Sequence, residues 1–445
     1  MRFFKLLLCF CAVTISLNSS AAKLGDVNLD GQVTSVDVAE IVNHLAGLSN
    51  TYDCDVTGDG QVSAADIAVV VNILAGLDPG ISKPRAVVGG DISLLPSYEA
   101  AGAIYRDVNN KKITGDLLNY LKEQGWTAIR LRLFVDPSKA PSTEIGEGVC
   151  QDLDYILPLA VRIKQAGLKF MLDFHYSDSW ADPVKQYTPD AWVGLSDDEL
   201  TVKIGEYTTE VLQALNEAGA TPDYIQTGNE ISYGMCWGKR GSSASSLLKV
   251  YPWDDANWPR FRNLLNSAIA ACRTECPNAK IIIHSERTTK PNDLVQYYTR
   301  LYGMDYDIVG LSYYPRFHGP LSVLKTAIDR LTANVATSKK EIMIVETGWY
   351  HAYKPDDVPS TVTYAATEDG QQQFTQDLVA LLRNYDNVTG LFWWWPEANE
   401  YNVNWQNPVT KNGWYNAGLW DNNNGRAMKA IADLQELTKP VVDGE

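Results

Sequence analysis

The sequence predicts an α/β protein, a (β/α)8 barrel preceded by a small all-α module. Three observations predict it. Beyond Arg85, β-branched runs alternate with amphipathic helical stretches over about 350 residues, enough for eight βα units. Polar residues gather where those runs end. Ahead of the barrel, an acidic twelve-residue pattern occurs twice.

Residues 1–22 read as an export signal. Arg2 and Lys5 give a positive start, 3–17 are apolar without an acid, and Ser20-Ala21-Ala22 suit cleavage after Ala22. The apolar stretch falls short of the roughly 20 residues a membrane span needs. We therefore expect a secreted or cell-surface protein. The net charge of -16 has the wrong sign for a phosphate backbone, which excludes nucleic acid as the expected partner. Losing Cys9 and Cys11 with the signal leaves five of the seven Cys, an odd number. Cys272 and Cys276 share a helix face, yet adjacent turns hold their Cβ atoms too far apart for easy bridging. The five His supply no zinc-like cluster.

The module is placed at 23–80 and a linker at 81–85. Its repeat pairs Asp26, Asn28, Asp30, Gln32 and Asp37 with Asp55, Thr57, Asp59, Gln61 and Asp66, each displaced by the same interval. Oxygen donors at positions 1, 3, 5, 7 (through the backbone), 9 and 12, with Gly31 or Gly60 at position 6, are what a Ca²⁺ loop requires. Thr57 is the poorer donor, so the second site is expected to be the weaker. Apolar helices are expected at 38–48 and 67–77.

These two half EF-hands resemble a type I dockerin over residues 24–80. The resemblance implies calcium in the module and a cohesin-type partner contacted by loop positions 10 and 11. Here those positions hold Ser35-Val36 and Ala64-Ala65, a departure from the usual Ser-Thr type.

The barrel is placed at 86–438. Strands are expected at 87–94, 128–134, 169–176, 224–230, 280–285, 308–314, 341–347 and 389–395. Helices are expected at 115–124, 153–166, 198–217, 259–276, 293–302, 321–334, 371–385 and 426–437. A parallel barrel carries its chemistry where strands end. There the sequence has Asp91, Arg130, Arg132, Asp173, His175, Asn229, Glu230, His284, Glu286, Tyr313, Tyr314, Glu346 and the Trp393-Trp394-Trp395 run.

Glu230 after the fourth strand and Glu346 after the seventh form the pair that glycoside hydrolysis needs. One protonates the leaving oxygen and the other stands beneath the anomeric carbon, roughly 5–5.5 Å apart in the retaining geometry. Glu230 is expected to be the acid/base and Glu346 the nucleophile. Tyr313 or Tyr314 would orient Glu346, Arg132 would keep it ionised, and Asn229 would reach a sugar 2-hydroxyl. Trp180, Trp192, Trp237, Trp349 and Trp394 follow strand ends, where a flat ring can stack on a pyranose.

The runs around Asp91 (Gly-Gly-Asp-Ile-Ser-Leu-Leu-Pro), Arg130-Leu-Arg132-Leu-Phe-Val, Asp173-Phe-His175-Tyr-Ser-Asp178-Ser-Trp180-Ala-Asp182-Pro, Thr-Gly-Asn229-Glu230-Ile and Glu346-Thr resemble glycoside hydrolase family 53, the arabinogalactan endo-β-1,4-galactanases. The resemblance spans residues 86–437. It implies a TIM barrel, Glu230 as acid/base, Glu346 as nucleophile, β-1,4-galactan as substrate, a monomer, and no cofactor for the chemical step. Asp91, Arg132, His175, Asn229, His284, Tyr313 and Trp394 are the expected substrate-binding residues. The order Trp393-Trp394-Trp395-Pro396-Glu397 departs from the expected aromatic-Trp-Glu-Pro, so Trp394 is the expected sugar platform. The segment 350–357 does not match the family's loop calcium site, and none is expected in the barrel. The residues alone leave two alternatives: another barrel endo-β-1,4-glycanase, such as a mannanase or cellulase, or a non-catalytic polysaccharide-binding protein.

Overall fold

A computed structural model describes residues 25–28, 30–49, 51–52, 54–57, 62–77, 86–411 and 413–439. The expected signal (1–22), the linker (81–85), Asp59 and Gln61 lie outside the described residues. The chain divides into two units, Met1–Pro84 and Arg85–Glu445.

In the first unit the helices are α1 (Ser35–Leu45) and α2 (Ala64–Leu74), each beginning three residues earlier than expected. The reason is a capping box. Thr34 and Ser63 accept from the backbone N–H of Val36 and Ala65, while the Asp37 and Asp66 carboxylates take the N–H of Thr34 and Ser63 at 2.7 Å each. The last acidic position of each loop therefore sits inside the first helical turn. Val27, Ile41, Cys54 and Val70 form a buried apolar cluster among the described residues of this unit, with Val33, Val38, Tyr52, Val56, Val62 and Ile67 packed against it, a small core for a folded module.

The second unit is a closed barrel of eight parallel strands in chain order: β1 (Val87–Asp91), β2 (Ala128–Leu133), β3 (Lys169–Phe174), β4 (Tyr224–Thr227), β5 (Lys280–Ser285), β6 (Ile308–Tyr313), β7 (Glu341–Thr347) and β8 (Val388–Trp394). β5 and β7 have the expected bounds. β4 stops three residues short of expectation, because Gly228 (φ 106°) and Glu230 (φ 47°) take left-handed backbone and break the ladder. The final expected helix shortens to Ala430–Asp433 followed by a 3-10 turn, since Arg426 and Ala427 are drawn into bridges with Arg106 and Trp420. Cys272 and Cys276 are separate buried thiols.

Side-chain alternation sends one set of strand residues outward to the helices and the other inward. The inward set forms an apolar plug of Val87, Ala128, Met171, Tyr224, Ile282, Ile308, Met343, Val345 and Phe392. Above it, toward the strand ends, the inward residues turn polar. One irregularity matters there. β6 pairs Leu311 with Ile344 and then Ser312 with Glu346, so Val345 is an extra residue in β7. This bulge lets Glu346 join Met343 and Val345 on the inner face, where strict alternation would aim it outward.

Candidate active site

Arg130 on β2 is the hub of the polar layer. Its Nη1 donates to Asp91 Oδ2 (3.1 Å), and its Nη2 donates to Asp173 Oδ2 (2.7 Å), Asn229 Oδ1 (3.0 Å) and Glu346 Oε1 (2.9 Å). Two residues on, Arg132 donates to Asp91 Oδ1 (2.7 Å) and packs its guanidinium 5.1–5.2 Å from the rings of Trp180, Trp394 and Trp395. Two guanidiniums thus face three carboxylates, and the excess is negative. Although burial opposes it, Arg130 and the His175 ring hold Asp173 below the ordinary carboxylate range.

Glu346 accepts from Arg130 and, at its other oxygen, from the Tyr314 hydroxyl at 3.0 Å. Burial pushes it up to about 7, with Asp173 and Asp91 adding to the rise and Arg130 and Tyr314 opposing it. Glu230, at the mouth of the short turn Ile231–Tyr233, accepts from Ser312 Oγ at 2.6 Å. Burial first, then the charges of Glu346 and Glu286, push it well above the usual range. Of the two carboxyls, Glu346 is gripped by a cation and ionises first, while Glu230 keeps its proton.

Both carboxyls line one open cleft of about 500 Å³, together with Asn229, Glu286, Trp180 and Trp394. Tyr314, Phe317 and Trp414 continue its aromatic wall; Trp414 stacks on Tyr350 at 5.7 Å and 15° between planes. The site residues read from the sequence divide accordingly. Glu230, Glu346, Asn229 and Trp394 reach the cleft. Asp91, Arg132, His175 and His284 lie behind it, fully or almost fully buried, as supports. His175 takes the Ala181 N–H on Nδ1 at 3.0 Å, and His284 bonds Ser312 on its other side.

Two expected roles change hands. Tyr314, not Tyr313, reaches Glu346: Tyr313 points away from the inner face and donates to the Gly319 carbonyl at 2.7 Å. Arg130, not Arg132, pairs with Glu346, because the tilt of the strands brings the lower arginine of β2 opposite the end of β7. Among the tryptophans, Trp192, Trp237 and Trp349 are core residues. Trp393 donates to the Ala417 carbonyl, and Trp395 is buried against Trp394. Ser312, Gln226, Phe317 and Trp414 join the site beyond the residues expected from the sequence. Ser312 and Gln226 are inward positions of β6 and β4, which parity could have flagged, whereas Trp414 lies in a long loop with no such signal.

In the module, Asp26, Asn28, Asp30 and Asp37 of the first loop offer oxygen donors, the type a hard cation takes, but among the described residues no three His, Cys, Asp or Glu side chains are drawn together as a metal site. Asp26 takes the N–H of Asp30 and Gly31, and Asp37 those of Val27, Asn28 and Thr34. In the second loop, the Thr57 hydroxyl bridges Asp55 (3.1 Å) and Asp66 (3.0 Å).

A parallel eight-stranded barrel whose fourth and seventh strands end in unlike carboxyls on one aromatic cleft defines a glycoside hydrolase. The sequence comparisons agree, the profile of glycosyl hydrolase family 53 matching residues 87–434. The chain belongs to that family. Residues 24–79 match the type I dockerin domain. An uncharacterized protein of Niallia circulans is 34% identical over 75% of this chain and 90% of its own length. The arabinogalactan endo-β-1,4-galactanase A of Aspergillus niger is 30% identical over 69% of this chain and 84% of its own. Among solved structures, the Ignisphaera aggregans family 53 catalytic domain is 31% identical with a TM-score of 0.69, covering 81% of this chain and 98% of that one. A structure of fungal β-1,4-galactanases is 28% identical, with a TM-score of 0.63 over 78% and 98%.

Proposed function

We propose that the chain is an exported, retaining endo-β-1,4-galactanase that cuts the β-1,4-galactan of type I arabinogalactan to galacto-oligosaccharides. The observation that carries this reading is the unlike treatment of two carboxyls in one cleft. Glu346, held by Arg130 and Tyr314, is fitted to be the carboxylate that attacks the anomeric carbon. Glu230, kept protonated by burial and neighbouring charge, is fitted to protonate the leaving glycosidic oxygen. In the second half, Glu230 takes a proton from water, which attacks the anomeric carbon and releases Glu346. The Asn229 amide nitrogen gives one hydrogen to the Ala181 carbonyl at 2.7 Å, leaving its second for the sugar 2-hydroxyl. Trp394, which lines the cleft, would serve as the sugar platform. Relatives named as arabinogalactan endo-β-1,4-galactanases support the choice of substrate.

In the module, Asp26, Asn28, Asp30, the Gln32 backbone and Asp37 would hold one Ca²⁺. Asp55, Thr57, Asp59, Gln61 and Asp66 would hold a second more weakly, the ions supplying folding free energy rather than chemistry. Ser35-Val36 and Ala64-Ala65 are exposed on the first turns of α1 and α2, where a cohesin-type partner would meet them. The deciding experiment is product analysis on unbranched β-1,4-galactan beside mannan and cellulose, with the first-formed anomer read by NMR. Oligosaccharides of β configuration from galactan alone are expected. Cleavage of mannan or cellulose instead would replace the substrate, and an initial α product would replace the mechanism.

A further inference from the structure

Behind Glu230 the hydrogen bonds close into a ring that begins and ends on that residue. Its backbone N–H donates to His284 Nδ1 (3.2 Å), His284 Nε2 lies 2.8 Å from Ser312 Oγ, and Ser312 Oγ lies 2.6 Å from Glu230 Oε1. His284 and Ser312 are fully buried, so neither can turn to water instead. Every bond direction in the ring follows from which His284 nitrogen carries hydrogen. Two donors point at Nδ1: the Glu230 N–H and the Gln226 amide at 3.0 Å. One acceptor faces it, Asn229 Oδ1 at 3.0 Å, which already receives Arg130; the Gln226 amide spends one hydrogen on Asp173 and turns the other toward Nδ1, the shorter of its two remaining contacts (3.0 Å against 3.2 Å). The amide orientations are fixed independently, Gln226 by its bond to Asp173 and Asn229 by its bond to Ala181. Nδ1 is therefore the acceptor and Nε2 the N–H. Burial and Arg130 keep the ring neutral. Ser312 accepts from Nε2 and has one hydrogen left, for Glu230 Oε1.

We propose that His284 and Ser312 are positioning residues that decide which oxygen of Glu230 carries the acidic proton. With Oε1 occupied as an acceptor, the proton resides on Oε2, the oxygen left to the cleft. The opposite tautomer reverses the ring: Ser312 donates to Nε2, and the proton of Glu230 sits on Oε1 against the barrel wall, out of reach of substrate. In the forward direction the proton passes from Oε2 to the leaving glycosidic oxygen as the C–O bond breaks and Glu346 bonds the anomeric carbon. The negative charge then forming on Glu230 strengthens the Ser312 bond, so that bond favours the transition state over the ground state.

The proposal rests on reading Glu230 as the acid/base, and its test compares substrates that do and do not need an acid. Glu346, Glu286 and Asp182 surround Glu230 and raise its pKa, Tyr314 stands beside Glu346, and Ser312 is the group that pulls it down. With Ser312→Ala, turnover of β-1,4-galactan should fall about tenfold to a hundredfold, the worth of one hydrogen bond to a charge. The alkaline limb of kcat/KM should move to higher pH. The burst rate on a dinitrophenyl β-galactobioside, which departs unprotonated, should stay within about twofold. Ser312→Thr, which keeps the hydroxyl, should restore the galactan rate, and Ser312→Cys, a weak donor, should not. Equal losses on both substrates, or an unmoved alkaline limb, overturn the proposal. If Ser312→Ala does not fold, the Thr and Cys variants decide alone: equal galactan rates refute it. Wild-type enzyme inactive on galactan would sink the substrate assignment and not the ring, whose variants are then compared on the β-glycan that the wild type cleaves.

Discussion

Replacing Glu346 with Gln should abolish turnover and yet stabilise the barrel at neutral and alkaline pH. Gln keeps the shape and an acceptor for Arg130 while removing the charge, so the difference reads the cost of ionising a carboxyl that is 5% exposed. Burial raises that carboxyl from 4.5 to about 7 in the folded chain. Below 4.5 it is protonated in both folded and unfolded states and contributes no dependence on pH. Between 4.5 and about 7 the folded state holds a proton that the unfolded state has released, so wild-type stability falls as pH rises. Above that window the loss is complete, about 3 kcal/mol. A domain of about 350 residues unfolds with an entropy near 0.7 kcal/mol per degree, so the loss corresponds to about 4 °C in Tm. Calorimetric scans of both proteins from about pH 4.5 to 8 should show the variant's advantage growing from near zero to that value. A variant less stable than wild type at the alkaline end, or a gap that ignores pH, would mean that pairing with Arg130 outweighs burial and would refute the reasoning.

Four further outcomes test the assignments. Glu230→Ala should lose orders of magnitude on galactan but be rescued by azide on an activated aryl galactobioside, giving the β-azide; an α-azide would exchange the roles of Glu230 and Glu346. Tyr314→Phe removes a bond to the ionised form of Glu346 and should raise the acid limb of kcat/KM by about one pH unit, whereas Tyr313→Phe should leave that limb in place and cost about 1 kcal/mol of stability. Trp394→Ala should lower kcat as well as raise KM, because stacking matters most as the ring flattens; a rise in KM alone would make it a binding contact only. Chelating calcium in the full chain should abolish hydrogen-exchange protection in α1 and α2 without reducing galactan hydrolysis; lost activity would reveal a barrel ion.

Periodicity made the eight strands legible, since alternating apolar runs between amphipathic helices have few other solutions at this length. That Glu230 and Glu346 meet in one cleft was legible because each follows a strand, the fourth and the seventh, whose ends open on the same mouth of the barrel. Tyrosine choice on β6 was decidable too: Ile308, Gly310 and Ser312 face inward, and parity continues to Tyr314, leaving Tyr313 outward. What parity cannot supply is stagger. Arg130 and Arg132 share a face, and which of them meets Glu346 depends on strand tilt, a property of the closed barrel rather than of any one strand. Burial depth was hidden for the same reason. Asp91, His175 and His284 read as binding residues, but each is enclosed by side chains from neighbouring strands that lie far away in sequence.

Glu346 is the position where local reading and the barrel disagree most, and the disagreement has a physical use. By alternation, a residue next to Val345 belongs outside, against the helices. The extra residue in β7 brings Val345 and Glu346 to the same face, so an apolar side chain plugs the barrel directly beneath the carboxyl. That plug closes off water from below and helps hold Glu346 up near 7, while Arg130 and Tyr314 approach from β2 and the end of β6 and favour its anion. A carboxylate placed by ordinary alternation would have an inward neighbour two residues below it and a looser floor. The bulge costs one irregular step in the ladder, and in return the carboxyl we propose as nucleophile sits where solvent is scarce and two donors already point.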